Sequence, residues 1–469
     1  MKFLFGFLFI WSINTYAIPK DTTESINKLM SNLYERGQFN GSILVAVNGK
    51  IIYTNGFGES NFDTHAKFTP TTISCIASVS KQFTAMAIMM LAEKNKIKYD
   101  DPVSKYIPEL SKYTDGITIK HLLTHTSGIP DVGDLGIDHP GLTNDEVLKM
   151  LVKQNSLAFK PGTKYEYSNT AYILLSIIVE RITGKSYEKF LTEKILSPLK
   201  MNNTFLYDGS QQLSNNIAIG YSQFNQKDSY AALTTGDGGM FSNVYDLLKW
   251  SEALYSEELV KQSTLNTAFT PAKVIEGKTT YGFGWNITGI GADKVVWHTG
   301  STGGYRAFIE RRLKERITII MLTNKGNSRR MEINDAIVSI LNDKPYSLPK
   351  LPISEKMYNT IKERGIIVAL NMYDSLKAAN DTTYDFSESE LNTLGYQLVS
   401  ENKLNDAIAI FKLNTTSYPK SSNAFDSLGD AYVAIRDKDD AIKSYQIAID
   451  LDKNNLESIR KLNNLKKLK

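Results

Sequence analysis

The chain has 469 residues, 42% of them hydrophobic and 22% charged, the balance of an ordinary globular protein with room for more than one core. A formal net charge of +4 is small for this length and does not suggest a nucleic-acid partner. Cys75 is the only cysteine, which excludes an intrachain disulfide, and its apolar neighbours mark it as a small buried residue rather than a nucleophile.

The N-terminus carries Lys2, a short apolar run from Phe3 to Trp11 and then Thr15-Tyr16-Ala17. One charge, an apolar centre and a small residue before a cut predict a secretory signal peptide, residues 1–17, cleaved after Ala17. The expected location is therefore secreted or periplasmic, and no later segment reaches transmembrane length. Thr22 to Arg36 has a helical pattern. Two β-rich runs, Gly41 to Val47 and Lys50 to Tyr53, flank Asn48-Gly49, the dipeptide of a tight hairpin. Next comes Cys75-Ile76-Ala77-Ser78-Val79-Ser80-Lys81, which opens an apolar run from Phe83 to Ile97 that reads as a buried helix. Ser78 in its first turn and Lys81 three residues later share one face. A serine hydroxyl needs a base to become a nucleophile, and a buried lysine can serve. The alternative is a helix-capping serine beside a surface lysine.

His121 and His125 are four apart, the spacing of a helical zinc pair, but Leu122 stands where the zinc motif has Glu. The reading is two structural histidines closing a helix before Gly128 and Pro130, with no metal and no cofactor. Lys160-Pro161-Gly162 is a turn into Tyr165-Glu166-Tyr167-Ser168-Asn169, followed by an apolar helix from Ala171 to Ile182. Gly236-Asp237-Gly238-Gly239 is a turn without nucleotide-binding spacing. From Tyr281 the pattern changes: Tyr281 to Ile287, Lys294 to His298, Gly304 to Arg312 and Arg316 to Leu322 read as strands of an antiparallel meander, with a helix near Met331 to Leu341 covering one face. The expected fold is α/β, an antiparallel sheet flanked by helices plus an all-α region, over residues 18–345.

Pro345, Pro349 and Pro352 punctuate a linker with a helical pair, residues 346–385. Residues 386–469 are helical and repeat at an offset of 34 residues: Leu394-Gly395 recurs as Leu428-Gly429, Ala407-Ile408 as Ala441-Ile442, and Phe411 as Tyr445. Small and aromatic residues at these offsets are the tetratricopeptide pattern, which offers a peptide or protein partner a concave face.

Tyr167-Ser168-Asn169 supplies a phenol, a hydroxyl and an amide on one short segment, and His298-Thr299-Gly300-Ser301 lies at a strand end. With Ser78-x-x-Lys81 they resemble, in this order, the serine β-lactamase and penicillin-binding protein superfamily, nearest its class C β-lactamase and D-alanyl-D-alanine carboxypeptidase branch. Leu122-Leu123-Thr124-His125-Thr126-Ser127-Gly128, Phe159-Lys160-Pro161-Gly162 and Tyr281-Gly282-Phe283-Gly284-Trp285 are similar to that branch too, and the likeness runs over about residues 25 to 345. The resemblance implies Ser78 as acylated nucleophile, Lys81 and Tyr167 as base and proton relay, Asn169, His298, Thr299 and Gly300 around the substrate, and the backbone N–H groups of Ser78 and Ser301 as oxyanion hole. His298 departs from the Lys that class C β-lactamases carry there and is similar to the peptidase and esterase-like members.

The expected function is an exported serine hydrolase acting on D-amino-acid peptides, esters or amides. The alternatives are a β-lactamase and a tetratricopeptide binding module on a hydrolase platform. Segments Gly133 to Gly141 and Tyr207 to Tyr230, expected at the rim, carry no readable specificity.

Overall fold

A computed structural model describes residues 19–137, 139–207, 209, 216–229 and 232–467, without the Leu456 side chain. The expected signal peptide lies outside the described residues. Two compact units form, one from residues up to Ser222 with Lys227–Ser347, the other from Gln223–Gln226 with Leu348–Lys469. Among the described residues no helix is long and apolar enough to cross a membrane.

The first unit is built on a six-stranded antiparallel sheet: β1 (Gly41–Val47), β2 (Lys50–Phe57), β3 (Asn286–Thr288), β4 (Val295–Thr302), β5 (Tyr305–Arg312) and β6 (Ile317–Thr323), in the order β2-β1-β6-β5-β4-β3. The first hairpin turns at Asn48 (φ 52°) and Gly49 (φ 75°), two left-handed residues that match the twist of the paired strands. β1 and β6 lie in the middle of the sheet and are buried along their whole length. Helices cover both faces. Glu310 and Arg311 are neighbours on β5 and so point to opposite sides. Glu310 accepts from Asn334 of the helix Arg330–Leu341, and Arg311 donates to Ser251 of the helix Val244–Ala253.

The run expected as a strand from Tyr281 to Ile287 is a strand only from Asn286. Before that the chain makes a tight turn in which Gly282 N donates to Trp285 O. Gly284 has φ +79°, and a Cβ there would lie 3.0 Å from the Lys81 carbonyl oxygen. The turn packs directly on the helix that carries the lysine, and only glycine fits both its backbone and its space.

The second unit is helical. Residues 346–385, expected as a linker with a helical pair, contain Ile353–Arg364 and Ile366–Ala378 inside this unit. Four helices follow, Glu388–Ser400, Leu404–Ser417, Ser422–Ala434 and Lys438–Leu451, and then Leu456–Lys467. The 34-residue offset has a physical counterpart: a Cβ on Gly395 would lie 2.5 Å from the Phe411 ring, and one on Gly429 would lie 2.5 Å from the Tyr445 ring. In each hairpin an aromatic ring rests against the bare backbone of the facing helix.

Gly395→Ala therefore overpacks the first hairpin and lowers stability by about 1–3 kcal/mol. Urea unfolding followed by circular dichroism checks it, and an unchanged midpoint contradicts the contact.

Candidate active site

Ser78 sits in a 3₁₀ turn, Ala77–Ser80, that runs straight into the helix Lys81–Glu93. The residue before it, Ala77, has φ 44°, a left-handed conformation costly for a side chain with a Cβ and held here by surrounding packing. Lys81 is fully buried, and its Nζ lies 3.1 Å from Ser78 Oγ, 2.8 Å from Asn169 Oδ1 and 2.9 Å from the carbonyl oxygen of Asp237. Those three contacts use every donor the amine has as an ammonium. The chain thus presents a serine hydroxyl next to a desolvated amine, the pair that acyl transfer needs.

Asn169 owes its position to a helix start. Ser168 caps the helix Asn169–Thr183 by accepting from Ala171 N, and Asp131 binds the same turn through Ser168 Oγ (3.1 Å), Thr170 N (2.8 Å) and Asn169 Nδ2 (3.5 Å). A carboxylate at a helix N-terminus is favoured by the exposed N–H groups there. His125, with φ 56°, accepts from Ser168 N at Nδ1, and its carbonyl accepts from Glu166 N. Its ring lies 4.3 Å from the Tyr167 ring, and burial followed by the Lys81 charge holds its pKa well below the usual histidine value. A neutral His125 therefore clamps Tyr167-Ser168-Asn169 from behind. Lys81 Nζ lies 4.8 Å from the centre of the Tyr167 ring, which stands partly open to solvent.

The third motif lies on β4. A Cβ on Gly300 would come within 2.2 Å of the Ile76 carbonyl oxygen, so glycine lets this strand press against the backbone just before the nucleophile. His298 is buried. A carbonyl oxygen only accepts, so Nδ1 donates to Thr299 O (2.6 Å) and Nε2 accepts from the Tyr281 hydroxyl (2.8 Å). Burial, reinforced by the Lys81 charge, lowers its pKa to about 3. His298 meets the cavity as a neutral wall with both nitrogens engaged. Arg330 fixes the strand end by donating to Gly300 O and to Ser301 Oγ, the latter at 3.0 Å, and its own burial lowers its pKa to about 9.

Ser78, Tyr167, Asn169, His298, Thr299 and Ser301 line one cavity of about 700 Å³; Lys81 reaches it only through Ser78 and Asn169, and Gly300, on β4, packs against Ile76 rather than lining it. Val132, Leu142, Ala232 and Thr234 line it too, and these flank the segments expected at the rim. Sequence reasoning left out Asp131, His125 as a clamp, Tyr281, Arg330 and Asp237. Ile129-Pro130 before Asp131 and Val132-Gly133 after it carry no signal that its carboxylate binds the start of the helix Asn169–Thr183. Cys75 is buried and its thiol is pushed up to about 12 by burial, which makes it an inert neighbour of Ser78.

A serine hydroxyl beside a buried lysine, with an amide and a phenol around it and strand β4 alongside, is the arrangement that serine acyl transfer uses. Residues 26–342 match the family model described as Beta-lactamase. The chain belongs to that family, serine hydrolases of the β-lactamase fold. Penicillin-binding protein 4* of Bacillus subtilis (strain 168) is 32% identical over 364 residues, covering 72% of this chain and 80% of the relative. The octameric penicillin-binding protein homologue from Pyrococcus abyssi superposes with a TM-score of 0.63 at 28% identity, over 73% of this chain and 82% of its own. D-amino acid amidase from Ochrobactrum anthropi SV3 shares the fold, with a TM-score of 0.61 at 22% identity over 69% of this chain and 99% of its own.

The depressed His298 pKa has a stability consequence. The unfolded chain takes up a proton at His298 near its ordinary value of about 6.5, whereas the native chain does so only near 3. Stability is thus full above about pH 6.5 and falls as pH drops below it. Thermal melting between about pH 6.5 and 5 shows this slope, and His298→Asn flattens it in part, since His125 and His121 are depressed by burial too. An identical slope in the variant contradicts the assignment.

Proposed function

We propose that the protein is an exported serine hydrolase that forms an acyl-enzyme on Ser78 from D-amino-acid peptides or related esters and amides. The observation that carries this is the 3.1 Å contact between Ser78 Oγ and the buried Lys81 Nζ. Lys81 in its neutral form accepts the Ser78 proton as Oγ bonds to the carbonyl carbon. The resulting oxyanion is met by the N–H groups of Ser78 and Ser301. The carbon–nitrogen or carbon–oxygen bond then breaks, and the proton passes to the leaving group by way of Tyr167. Water attacks the ester, gives up its proton through the same relay, and releases the acid with Ser78 restored. Asn169 and Thr299 hold the substrate, and His298 positions Thr299 through the bond to its carbonyl oxygen.

Two features weigh against efficient β-lactam turnover. His298 replaces the lysine of class C β-lactamases, and it stays neutral with both nitrogens engaged, so it offers no cation to the β-lactam carboxylate. For the helical unit, we infer a tetratricopeptide array that takes a peptide or protein partner, supported by the repeated glycine–aromatic contact. Capture of that partner is lost on removing residues 386–469, and undiminished capture contradicts the inference.

A panel of D-Ala-D-Ala peptides, short-chain p-nitrophenyl esters and nitrocefin tests the enzyme reading. Peptide or ester turnover is expected with little from nitrocefin, Ser78→Ala abolishes it, and Tyr167→Phe lowers kcat by roughly 10²–10⁴. Turnover that survives Ser78→Ala overturns the assignment, and rapid nitrocefin hydrolysis favours the β-lactamase reading instead.

A further inference from the structure

Acyl transfer needs more of Lys81 than nearness to Ser78. To take the hydroxyl proton the amine must be neutral, with two N–H donors and one lone pair. Its three contacts then sort themselves. Asn169 Oδ1, at 2.8 Å, and the Asp237 carbonyl oxygen, at 2.9 Å, can only accept, so they take the two N–H groups. The lone pair is left for the Ser78 hydroxyl at 3.1 Å. The two acceptors thus turn the amine, and each has to be held in place. Asn169 is held by the Ser168 cap and Asp131. Asp237 offers a backbone oxygen on the turn of residues 236–239, and that turn needs anchors of its own.

The anchors include two buried hydroxyls. Thr84 lies one helical turn after Lys81 on the same helix and has no exposed surface. Its Oγ1 is 2.6 Å from the Gly236 carbonyl oxygen and 2.6 Å from the hydroxyl of Tyr187, which is buried too. The carbonyl can only accept, so the Thr84 hydrogen goes to Gly236, and the Tyr187 O–H donates to Thr84 Oγ1. The wire from Tyr187 through Thr84 to Gly236 has a single direction, and each bond polarises the next. Gly236, with φ +94°, has no room on its other side: a Cβ there would lie 2.3 Å from the Tyr172 carbonyl oxygen of the helix Asn169–Thr183. One residue earlier, Asn144 accepts from Thr235 N and donates to Thr235 Oγ1, both at 2.8 Å. The Asp237 carbonyl follows directly on this fixed backbone.

We propose that Thr84 and Tyr187 are positioning residues for the base: by holding the Gly236 carbonyl they set the Asp237 carbonyl against Lys81, and so turn the amine's lone pair to Ser78. This rests on the acyl-enzyme reading above. Neither residue is among those that line the cavity, so neither meets the acyl donor. Lys81 opens its helix and Thr84 stands one turn on, so one rigid helix carries both the base and the group that places the base's acceptor. Without the Thr84 hydroxyl the buried Gly236 carbonyl loses this donor, the turn shifts, and the Asp237 oxygen no longer fixes the amine. Binding of the acyl donor is untouched, and only the proton transfer from Ser78 slows.

Labelling of Ser78 by a fluorophosphonate, followed on the full-length protein over a range of reagent concentrations, separates the limiting rate from the half-saturating concentration. Thr84→Val keeps the shape and removes the hydroxyl. It is expected to lower the limiting rate roughly tenfold, the size of one buried hydrogen bond, and to leave the half-saturating concentration unchanged. Thr84→Ser restores the rate, and Tyr187→Phe lowers it by less than Thr84→Val does. The double variant reacts no more slowly than Thr84→Val alone, because Tyr187 acts only through Thr84. An unchanged limiting rate in Thr84→Val, an equal loss in Thr84→Ser, or losses that multiply in the double variant each overturns the proposal, as does a change confined to the half-saturating concentration. If Thr84→Val does not fold, Tyr187→Phe carries the test, and an unchanged limiting rate there overturns the proposal. Wild-type protein that is not labelled on Ser78 removes the acyl-enzyme reading itself, so the two failures are told apart.

Discussion

A lysine amine with no exposed surface must be met on all sides by acceptors, and Lys81 is met by three that lie far apart in the chain: Ser78 Oγ, Asn169 Oδ1 and Asp237 O. An unmet buried amine costs several kcal/mol, so this one side chain ties three segments to a single geometry. The Asp237 turn is pinned again when Thr84, one helical turn after Lys81, donates to Gly236 O at 2.6 Å. Asn169 is held by the Ser168 cap and Asp131. The polar network that keeps the lysine buried is also the network that places it on the serine hydroxyl.

The sheet completes the arrangement from the other side. β4 approaches the nucleophile turn so closely that only a glycine, Gly300, is accommodated against the Ile76 carbonyl. Ala77 is held left-handed at that point of contact. The strain is maintained by packing rather than relieved, which is how a fixed nucleophile and fixed N–H donors avoid reorganising during reaction. Tyr281, from the turn expected as a strand, donates to His298 Nε2, and burial followed by the Lys81 charge keeps that ring neutral.

Much of this was legible in the sequence because the signals are local. Asn48-Gly49 dictates its own hairpin, Ser78 and Lys81 share a helical face by spacing alone, and the β-rich runs after Lys294 specify strands. Tyr281 to Trp285 misled because alternating aromatic residues and glycines imitate a strand; the choice of a turn depends on Gly284 meeting a helix about two hundred residues earlier. Asp131, Arg330 and Asp237 were illegible for the same reason. Nothing near them in sequence distinguishes a carboxylate capping a distant helix, a guanidinium under a strand or a residue whose carbonyl oxygen meets a buried amine from an ordinary charged surface residue.

The central claim is that the buried Lys81 makes Ser78 the acylated residue. Peptide mass mapping after reaction with a fluorophosphonate tests it most directly, on the wild type and on Lys81→Met. One adduct is expected, on the peptide that contains Ser78, formed far more slowly in Lys81→Met. An adduct on any other residue, or an equal rate in the variant, would contradict it.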